Sequence, residues 1–431
     1  MAHASTTPDD PQLLDVASER EKEILSGAEV DGDHTEVSRD SCEDARELLA
    51  NPSEGLLSWE PFPVPWRHPL KAMAWIIRLV WGLASLVFFL AVTAAIPIVN
   101  FLALGYLLEV QGRVARTGRF RDAFPLLNDA PRFGSIALGI WVCLMPLRLI
   151  SSMAADAQLI DPTAAPAIRF QVAQSILWGL TTAHIILALA RGGSLACFVR
   201  PIKNVRWLWS RLREGNYLET ASDHVAKFVR GLRLRHHFWL GLRGFLVAFA
   251  WLLIPTAIYS ATNRPEGASI VAVLVGGTLL TLALSWVAFL QAHFAAENRL
   301  SAGFELRKVR TLWGHAPLSW ALAMIVLYAL SLPFYIFKAF SPPQDAMWPF
   351  LIIFVISIYP TRIITGWAYR QAVVRFEQGR RAHWSLRWLC GGVLMPLLAF
   401  YVFILFFTQF LGAEGKRTLF QHHALLLPSP F

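Results

Sequence analysis

The chain has 431 residues, of which 55% are hydrophobic and only 16% are charged. A soluble globular protein usually has about 25% charged residues, so the composition argues against a soluble protein and favours a membrane protein. The charge is also unevenly distributed, because residues 1–60 carry 16 acidic and 4 basic side chains and the remainder carries 14 and 35.

Residues 1–61 form an acidic tail that is rich in Asp, Glu, Ser and Thr and has no aromatic residue before Trp59. Such a segment cannot bury enough apolar surface to offset the entropy of ordering, so we expect it to be disordered. It lacks the basic start and the apolar run of a signal peptide. The first apolar segment, near residue 75, must therefore act as the membrane signal.

A membrane-spanning helix needs about 20 mostly apolar residues. Residues 62–411 are predicted to form a transmembrane domain, and residues 412–431 a C-terminal tail. The backbone of each span must bond within its own segment, which predicts an all-α bundle of about eight helices. The eight candidate spans are 75–108, 134–155, 171–190, 244–262, 268–292, 317–337, 347–367 and 388–411.

Basic residues alternate between the connections. The loops 109–133, 191–238, 292–316 and 368–387 hold 24 Lys or Arg residues in all, whereas the other connections and the C-terminal tail hold 5. The positive-inside rule places the first set in the cytoplasm.

The first candidate span, 75–108, leaves two topologies open. As a single crossing, it places the acidic tail outside. It is longer than one crossing needs, however, and Pro97 and Asn100 are positioned to break it into two helices, 75–96 and 98–116. The break gives nine crossings and a cytoplasmic tail, which is the arrangement we favour because Arg67, Lys71 and Arg78 flank the start of the segment.

Two segments of the chain share a pattern. Gly105-Tyr106 is followed by Gly118-Arg119, and Gly366-Trp367 by Gly379-Arg380, with a basic stretch between the two members of each pair. A proline precedes each segment, and the second helix of each predicted hairpin carries an internal proline: Pro146, Pro255, Pro333 and Pro396. The pattern indicates tandem helical hairpins, although proline is also common in membrane helices in general.

The loop 191–238 contains two basic amphipathic stretches. One has Val225, Phe228, Val229 and Leu232 on one helical face, and the other combines Trp207 and Trp209 with neighbouring arginines. Helices of this kind lie in the membrane interface. The expected partners are therefore the lipid bilayer and, at the basic loops, anionic lipids. Nucleic acid is not an expected partner, because the faces carry Trp and Leu beside membrane spans.

The run IPIVNFLALGYLL at residues 96–108, followed by EVQGRVARTGRFRDAFP, resembles a family of prokaryotic membrane proteins, domain of unknown function 4013. The similarity covers residues 96–125. It implies the hairpin architecture and implies no activity. Together with the excess of arginine over lysine, 32 to 7, it indicates the cytoplasmic membrane of a bacterium.

Ionisable residues within spans are the default candidates for a binding site. Arg148 and Arg362 each follow a proline by two residues, and an arginine beside a kink can hold an anion bidentately. The alternative is that each reaches an interface or bonds a nearby carbonyl, and Arg362 is placed nearer the cytoplasmic end. His184 is a candidate polar binding residue or packs as a neutral ring, and Asn100 lines a cavity or caps a helix half.

Several other features are expected to be structural. His293 and Glu297, four residues apart, are expected to pair locally, and the apolar C-terminal run QHHALLLPSPF is expected to fold onto the outer surface. The sequence contains no metal-binding or nucleotide-binding motif, no catalytic elbow and no implied cofactor, so it does not predict an enzyme.

Two hypotheses for the function follow. The first is a membrane protein that handles a lipid or small solute in a polar cavity between kinked helices. The second is a scaffold that recruits partners through the acidic tail and the basic interfacial helices.

Overall fold

The computed structural model describes residues 66–215, 217–261, 267–339, 347–410, 415–422 and 425–426. The predicted acidic tail, residues 1–61, lies outside these residues, as does part of the C-terminal tail. Within the described residues all regular structure is helical, which confirms the predicted fold class.

The described chain forms α-helices joined by short turns and two 3-10 turns. In chain order these are α1 (Pro69–Ala95), α2 (Asn100–Thr117), the first 3-10 turn (Phe120–Ala123), α3 (Ala130–Ile160), α4 (Ala165–Ala190), α5 (Leu195–Val199), α6 (Pro201–Glu214), α7 (Tyr217–Gly231), α8 (Leu234–Tyr259), α9 (Ala268–Glu297), the second 3-10 turn (Leu300–Phe304), α10 (Leu306–Trp313), α11 (Pro317–Ala339), α12 (Met347–Glu377), α13 (Trp384–Thr408) and α14 (Gly415–Leu419).

Eight helical runs among the described residues are long and apolar enough to cross a membrane, as the sequence predicted. They are α1, α3, α4, the α7–α8 run, α9, α11, α12 and α13. The α3–α4 pair exposes large apolar side chains, including Trp141 and Trp178, and such a surface fits a lipid environment. The two amphipathic stretches of the loop 191–238 are the separate helices α6 and α7.

The apolar segment 75–108 is divided between two helices, whereas the number of crossings that it makes stays a prediction. Helix α1 ends at Ala95 and α2 begins at Asn100. Pro97 has no backbone N–H to donate, and Ile98 adopts a left-handed conformation with φ of 70°. The break agrees with the two-helix alternative, while the side of the membrane on which the acidic tail lies stays a prediction.

Helix α2 lies at the centre of the bundle and packs against α8, α9 and α12. Its 18 residues give a length of about 27 Å. It is not among the eight apolar candidates, because its second half carries Glu109, Arg113 and Arg116.

Helices α2, α9 and α12 end together on one side of the bundle, here called the basic side. Arg116 Nη1 of α2 donates to the carbonyl oxygen of Ala295 in α9 over 2.9 Å. Gly118, just beyond α2, lies against the side chain of Arg370 in α12. The three helices are therefore parallel, and their carboxyl ends meet where the basic loops lie.

The same turn ends all three helices. A residue in the left-handed conformation follows each helix, namely Gly118, Asn298 and Gly379, with φ of 72°, 53° and 66°. An arginine follows each of them in the sequence. The sequence analysis found the first and third copies and missed the middle one, because asparagine replaces glycine at Asn298. Asparagine tolerates the left-handed conformation better than most residues.

Helices α2 and α8 approach each other closely. A Cβ atom on Gly105 would collide with the carbonyl oxygen of His237, and a Cβ atom on Gly241 would collide with that of Phe101. Glycine at these two positions lets the two backbones touch, as small residues do in membrane helix packing.

We predict that Gly105→Ala destabilises the protein by about 1–3 kcal/mol, because the added methyl group has no room against a backbone oxygen. Gly391→Ala in α13 is the matched control, since nothing lies within 4 Å of the added atom. The control should leave the melting temperature unchanged or raise it, because alanine favours helix over glycine. Thermal unfolding in nanodiscs measures both, and equal melting temperatures would contradict the predicted close contact.

Candidate functional site

Arg362 lies in the interior of the bundle, on α12 and two residues after Pro360. Its side chain is only 2% exposed, although the sequence analysis placed it nearer the cytoplasmic end. It therefore does not reach an interface. A charged side chain at such a position in a membrane protein is costly and needs hydrogen-bond partners.

The guanidinium group of Arg362 donates to three oxygen atoms on three separate elements. Nη1 donates to Oε1 of Gln111 in α2 over 3.1 Å and to Oε1 of Gln291 in α9 over 2.9 Å. Nη2 donates to the backbone carbonyl oxygen of Leu425 over 3.2 Å. The arginine thus joins α2, α9, α12 and the C-terminal residues at one point.

Other hydrogen bonds orient the two glutamine amides. Gln111 Nε2 donates to Thr365 Oγ1 over 2.9 Å and to the Ala288 carbonyl oxygen over 3.3 Å. Gln291 Nε2 donates to the carbonyl oxygens of Gly244 and Leu425 over 3.2 and 3.0 Å. Because both amide nitrogens are occupied by other acceptors, both amide oxygens face the guanidinium group.

Among the described residues no carboxylate pairs with Arg362. Its three acceptors are neutral, and its Nε is buried without a partner. Arginine keeps its charge at neutral pH, so the centre of the bundle holds a positive charge balanced only by dipoles. Such an arrangement favours an anion, because charge-assisted hydrogen bonds are stronger than those to neutral oxygens.

Gln111 and Gln291 were not predicted as site residues, although the sequence contains a signal for them. Each lies seven residues before the left-handed residue that ends its helix, Gly118 and Asn298 respectively. They are thus equivalent positions in two copies of the repeated turn. Recognising Asn298 as the middle copy would have aligned the two glutamines.

The structure separates the other predicted residues from Arg362. Arg148 is exposed on α3 and has no polar partner among the described residues, so the shared Pro-x-Arg pattern leads to opposite environments. Nε2 of the half-buried His184 donates to the Phe198 carbonyl oxygen over 2.8 Å. Asn100 is buried at the start of α2, and its Oδ1 has no partner. None of these three joins the network around Arg362.

Two further polar clusters connect helix ends on the basic side. Glu109 of α2 lies 2.7 Å from Arg113 and 3.3 Å from His236 of α8. The buried His293 of α9 contacts Oε2 of Glu305 over 3.0 Å and the hydroxyl of Tyr369 over 2.7 Å. The expected local pair of His293 with Glu297 is therefore replaced by contacts with two other elements.

Glu305 follows the second 3-10 turn, outside the candidate spans. The hydrogen bond with His293 holds the pKa of the Glu305 carboxyl below its ordinary value. The contact therefore stabilises the fold at neutral pH and is lost as the pH falls through the lowered pKa. Since Glu305 is about one-third exposed, solvent screens this contribution and it is small. Among the described residues no group of three His, Cys, Asp or Glu side chains is placed to hold a metal ion.

Residues 205–341 match the model of a family described as protein of unknown function (DUF4013). The sequence pattern at residues 96–125 predicted a resemblance to the same family, and the match confirms this resemblance over residues 205–341 only. The DUF4013 segment contains α9 and the second 3-10 turn, which repeat the arrangement of α2 and the first 3-10 turn. The family description gives no activity. No curated protein and no solved structure was found to match the chain.

We predict that Gln291→Leu destabilises the protein by about 1–3 kcal/mol, because Arg362 then loses a buried acceptor. Gln171→Leu is the control, since Gln171 is exposed on α4 and the same change there should have little effect. Thermal unfolding in nanodiscs measures the difference. Equal losses in the two variants would show that Gln291 does not support the buried charge.

Proposed function

We propose that this protein handles an anionic ligand, a lipid or a small solute, that binds at Arg362 between α2, α9 and α12. One observation carries the proposal: a buried guanidinium group whose partners are all neutral and whose Nε has none. Membrane proteins retain buried charges mainly where a ligand or an ion uses them.

The surroundings of Arg362 suit an anion. The amide groups of Gln111 and Gln291 and the hydroxyl of Thr365 carry no charge that would repel one. A phosphate or carboxylate that replaced one neutral acceptor would gain a charge-assisted, bidentate contact with the guanidinium fork. Of the candidate residues that the sequence suggested, the proposal keeps Arg362 and leaves out Arg148, which is exposed on α3.

Native mass spectrometry of the protein in nanodiscs that contain anionic lipid tests the proposal. We expect a defined anionic adduct on the wild type and a loss of at least about tenfold in Arg362→Gln, since a hydrogen bond to a charged group contributes about 1.5–3 kcal/mol. Arg148→Gln is the matched control and should retain the adduct. Equal retention by all three proteins would overturn the proposal.

The basic amphipathic helices favour a second function, a membrane scaffold that binds anionic lipid. Asn204 fixes the base of α6, because its Nδ2 donates to the Cys197 carbonyl oxygen over 2.7 Å. The outer face of α6 exposes Trp209 beside Arg206 and Arg213, around a surface depression of about 540 Å³. An aromatic side chain between arginines suits a negatively charged membrane surface.

For this second function, we predict that Arg206→Glu with Arg213→Glu reduces the enrichment of anionic lipid around the protein. Each arginine near an anionic surface contributes about 1 kcal/mol, so the loss should exceed about tenfold and diminish at high salt. The control is Arg169→Glu. Arg169 is exposed near the start of α4 and does not belong to α6. The measurement is the composition of the lipid that is extracted together with the protein. An unchanged lipid composition would contradict the scaffold function and leave the proposal for Arg362 intact.

A further inference from the structure

The chain re-enters the bundle after α13. The described residues of this part, 415–422 and 425–426, are here called the C-terminal plug. Leu419, His422, Leu425 and Leu426 are each at most 6% exposed. The sequence analysis expected the C-terminal run to fold onto the outer surface, so this expectation is corrected: its described residues lie among the core side chains of α8, α9 and α12.

The contacts of the C-terminal plug define its path. His422 Nε2 lies 2.7 Å from Thr256 Oγ1, three residues before the end of α8. Leu425 lies deeper in the bundle than His422. Its carbonyl oxygen and that of Gly244 both accept hydrogen bonds from Nε2 of Gln291. Gly244 lies about three helical turns from Thr256, toward the start of α8. The plug therefore enters from the end of the bundle opposite the basic side and reaches Arg362.

The C-terminal plug has the chemistry of a bound ligand. It presents one oxygen atom, the Leu425 carbonyl, to Arg362, and it buries leucine side chains in the surrounding core. A ligand with an oxygen-rich head and a single hydrocarbon chain would satisfy the same partners. The plug passes Thr256 as one segment of peptide chain. Its path therefore suits a ligand with one hydrocarbon chain better than a ligand with two.

We propose that the C-terminal plug occupies the site of a single-chain anionic amphiphile, an alkyl phosphate or alkyl carboxylate, and leaves when that ligand binds Arg362. This rests on the proposed function and adds the ligand class and the path of entry. The ligand enters from the end of the bundle opposite the basic side, which the positive-inside rule assigns to the outer face of the membrane.

The exchange is favourable because of the difference in charge between the two occupants. The Leu425 carbonyl oxygen is neutral, whereas a phosphate or carboxylate oxygen makes a charge-assisted bond to the same nitrogen. His422 adopts a left-handed conformation with φ of 33°, which is sparsely populated for residues other than glycine. The backbone strain at His422 is relieved when the plug leaves. The covalent link keeps the plug at a high effective concentration, so it excludes weaker ligands.

The first experiment compares the full-length protein with a variant that ends at Phe410, both in nanodiscs, by native mass spectrometry with dodecyl phosphate or inorganic phosphate. We expect the truncated protein to bind dodecyl phosphate at least about tenfold more tightly than the full-length protein does. Adding Arg362→Gln should abolish this binding. Inorganic phosphate, which has no chain to fill the apolar path, should bind at least about tenfold more weakly than dodecyl phosphate.

A point variant makes the test independent of whether the truncated protein folds. Thr256→Val removes the hydrogen bond to His422 and keeps the side-chain volume, so it should loosen the plug and raise the affinity for dodecyl phosphate severalfold. Thr278→Val is the control, because Thr278 is exposed and bonds only the Leu274 carbonyl oxygen of its own helix. Size-exclusion chromatography confirms that each variant is folded.

The outcomes separate this proposal from the one on which it rests. If both phosphates bind equally, depend on Arg362 and are unaffected by truncation or Thr256→Val, the anion site stands and the plug proposal is overturned. If no variant shows Arg362-dependent binding of either phosphate, both proposals are overturned. Tighter binding of dodecyl phosphate on loosening the plug, lost with Arg362→Gln, supports both.

Discussion

A single buried guanidinium group organises the centre of this protein. Arg362 of α12 reaches α2 through Gln111, α9 through Gln291 and the C-terminal plug through the carbonyl oxygen of Leu425. In lipid an unsatisfied polar group costs several kcal/mol, so α2, α9 and α12 must keep their relative positions for the guanidinium group to stay hydrogen-bonded. The arginine therefore specifies how three parallel helices pack, in addition to being the proposed anion site.

The membrane architecture could be predicted because it depends on local properties of the chain. The hydropathy of each segment gave the eight candidate spans, and Pro97 with Asn100 gave the break between α1 and α2 as one of two alternatives. The site was only partly predictable. Arg362 was identified as a charge within a span, but its partners lie 251, 71 and 63 residues away in sequence. Contacts at such separations depend on packing that no local pattern contains.

Arg148 and Arg362 illustrate this difference. Both follow a proline by two residues, and both lie in helices long enough to cross a membrane. One is exposed and the other is buried, because the face that a helix turns to its neighbours depends on the whole arrangement of helices. The repeated turn was a better guide, since Gly118, Asn298 and Gly379 share a backbone conformation that few residue types adopt. The match of residues 205–341 to DUF4013 includes one copy of that turn.

The parallel arrangement of α2, α9 and α12 also has an electrostatic consequence. Each helix carries a partial negative charge at its carboxyl end, and here three such ends meet on one side of the bundle. Arg119, Arg299 and Arg380 each follow the left-handed residue at these ends, and Arg116 donates to the carbonyl oxygens of Ala295 and Ala296 near the end of α9. The basic residues that the positive-inside rule predicts to orient the chain thus also lie where they oppose the combined macrodipole of the three helices. A reversal of these charges would therefore affect both the insertion of the protein and its stability once folded.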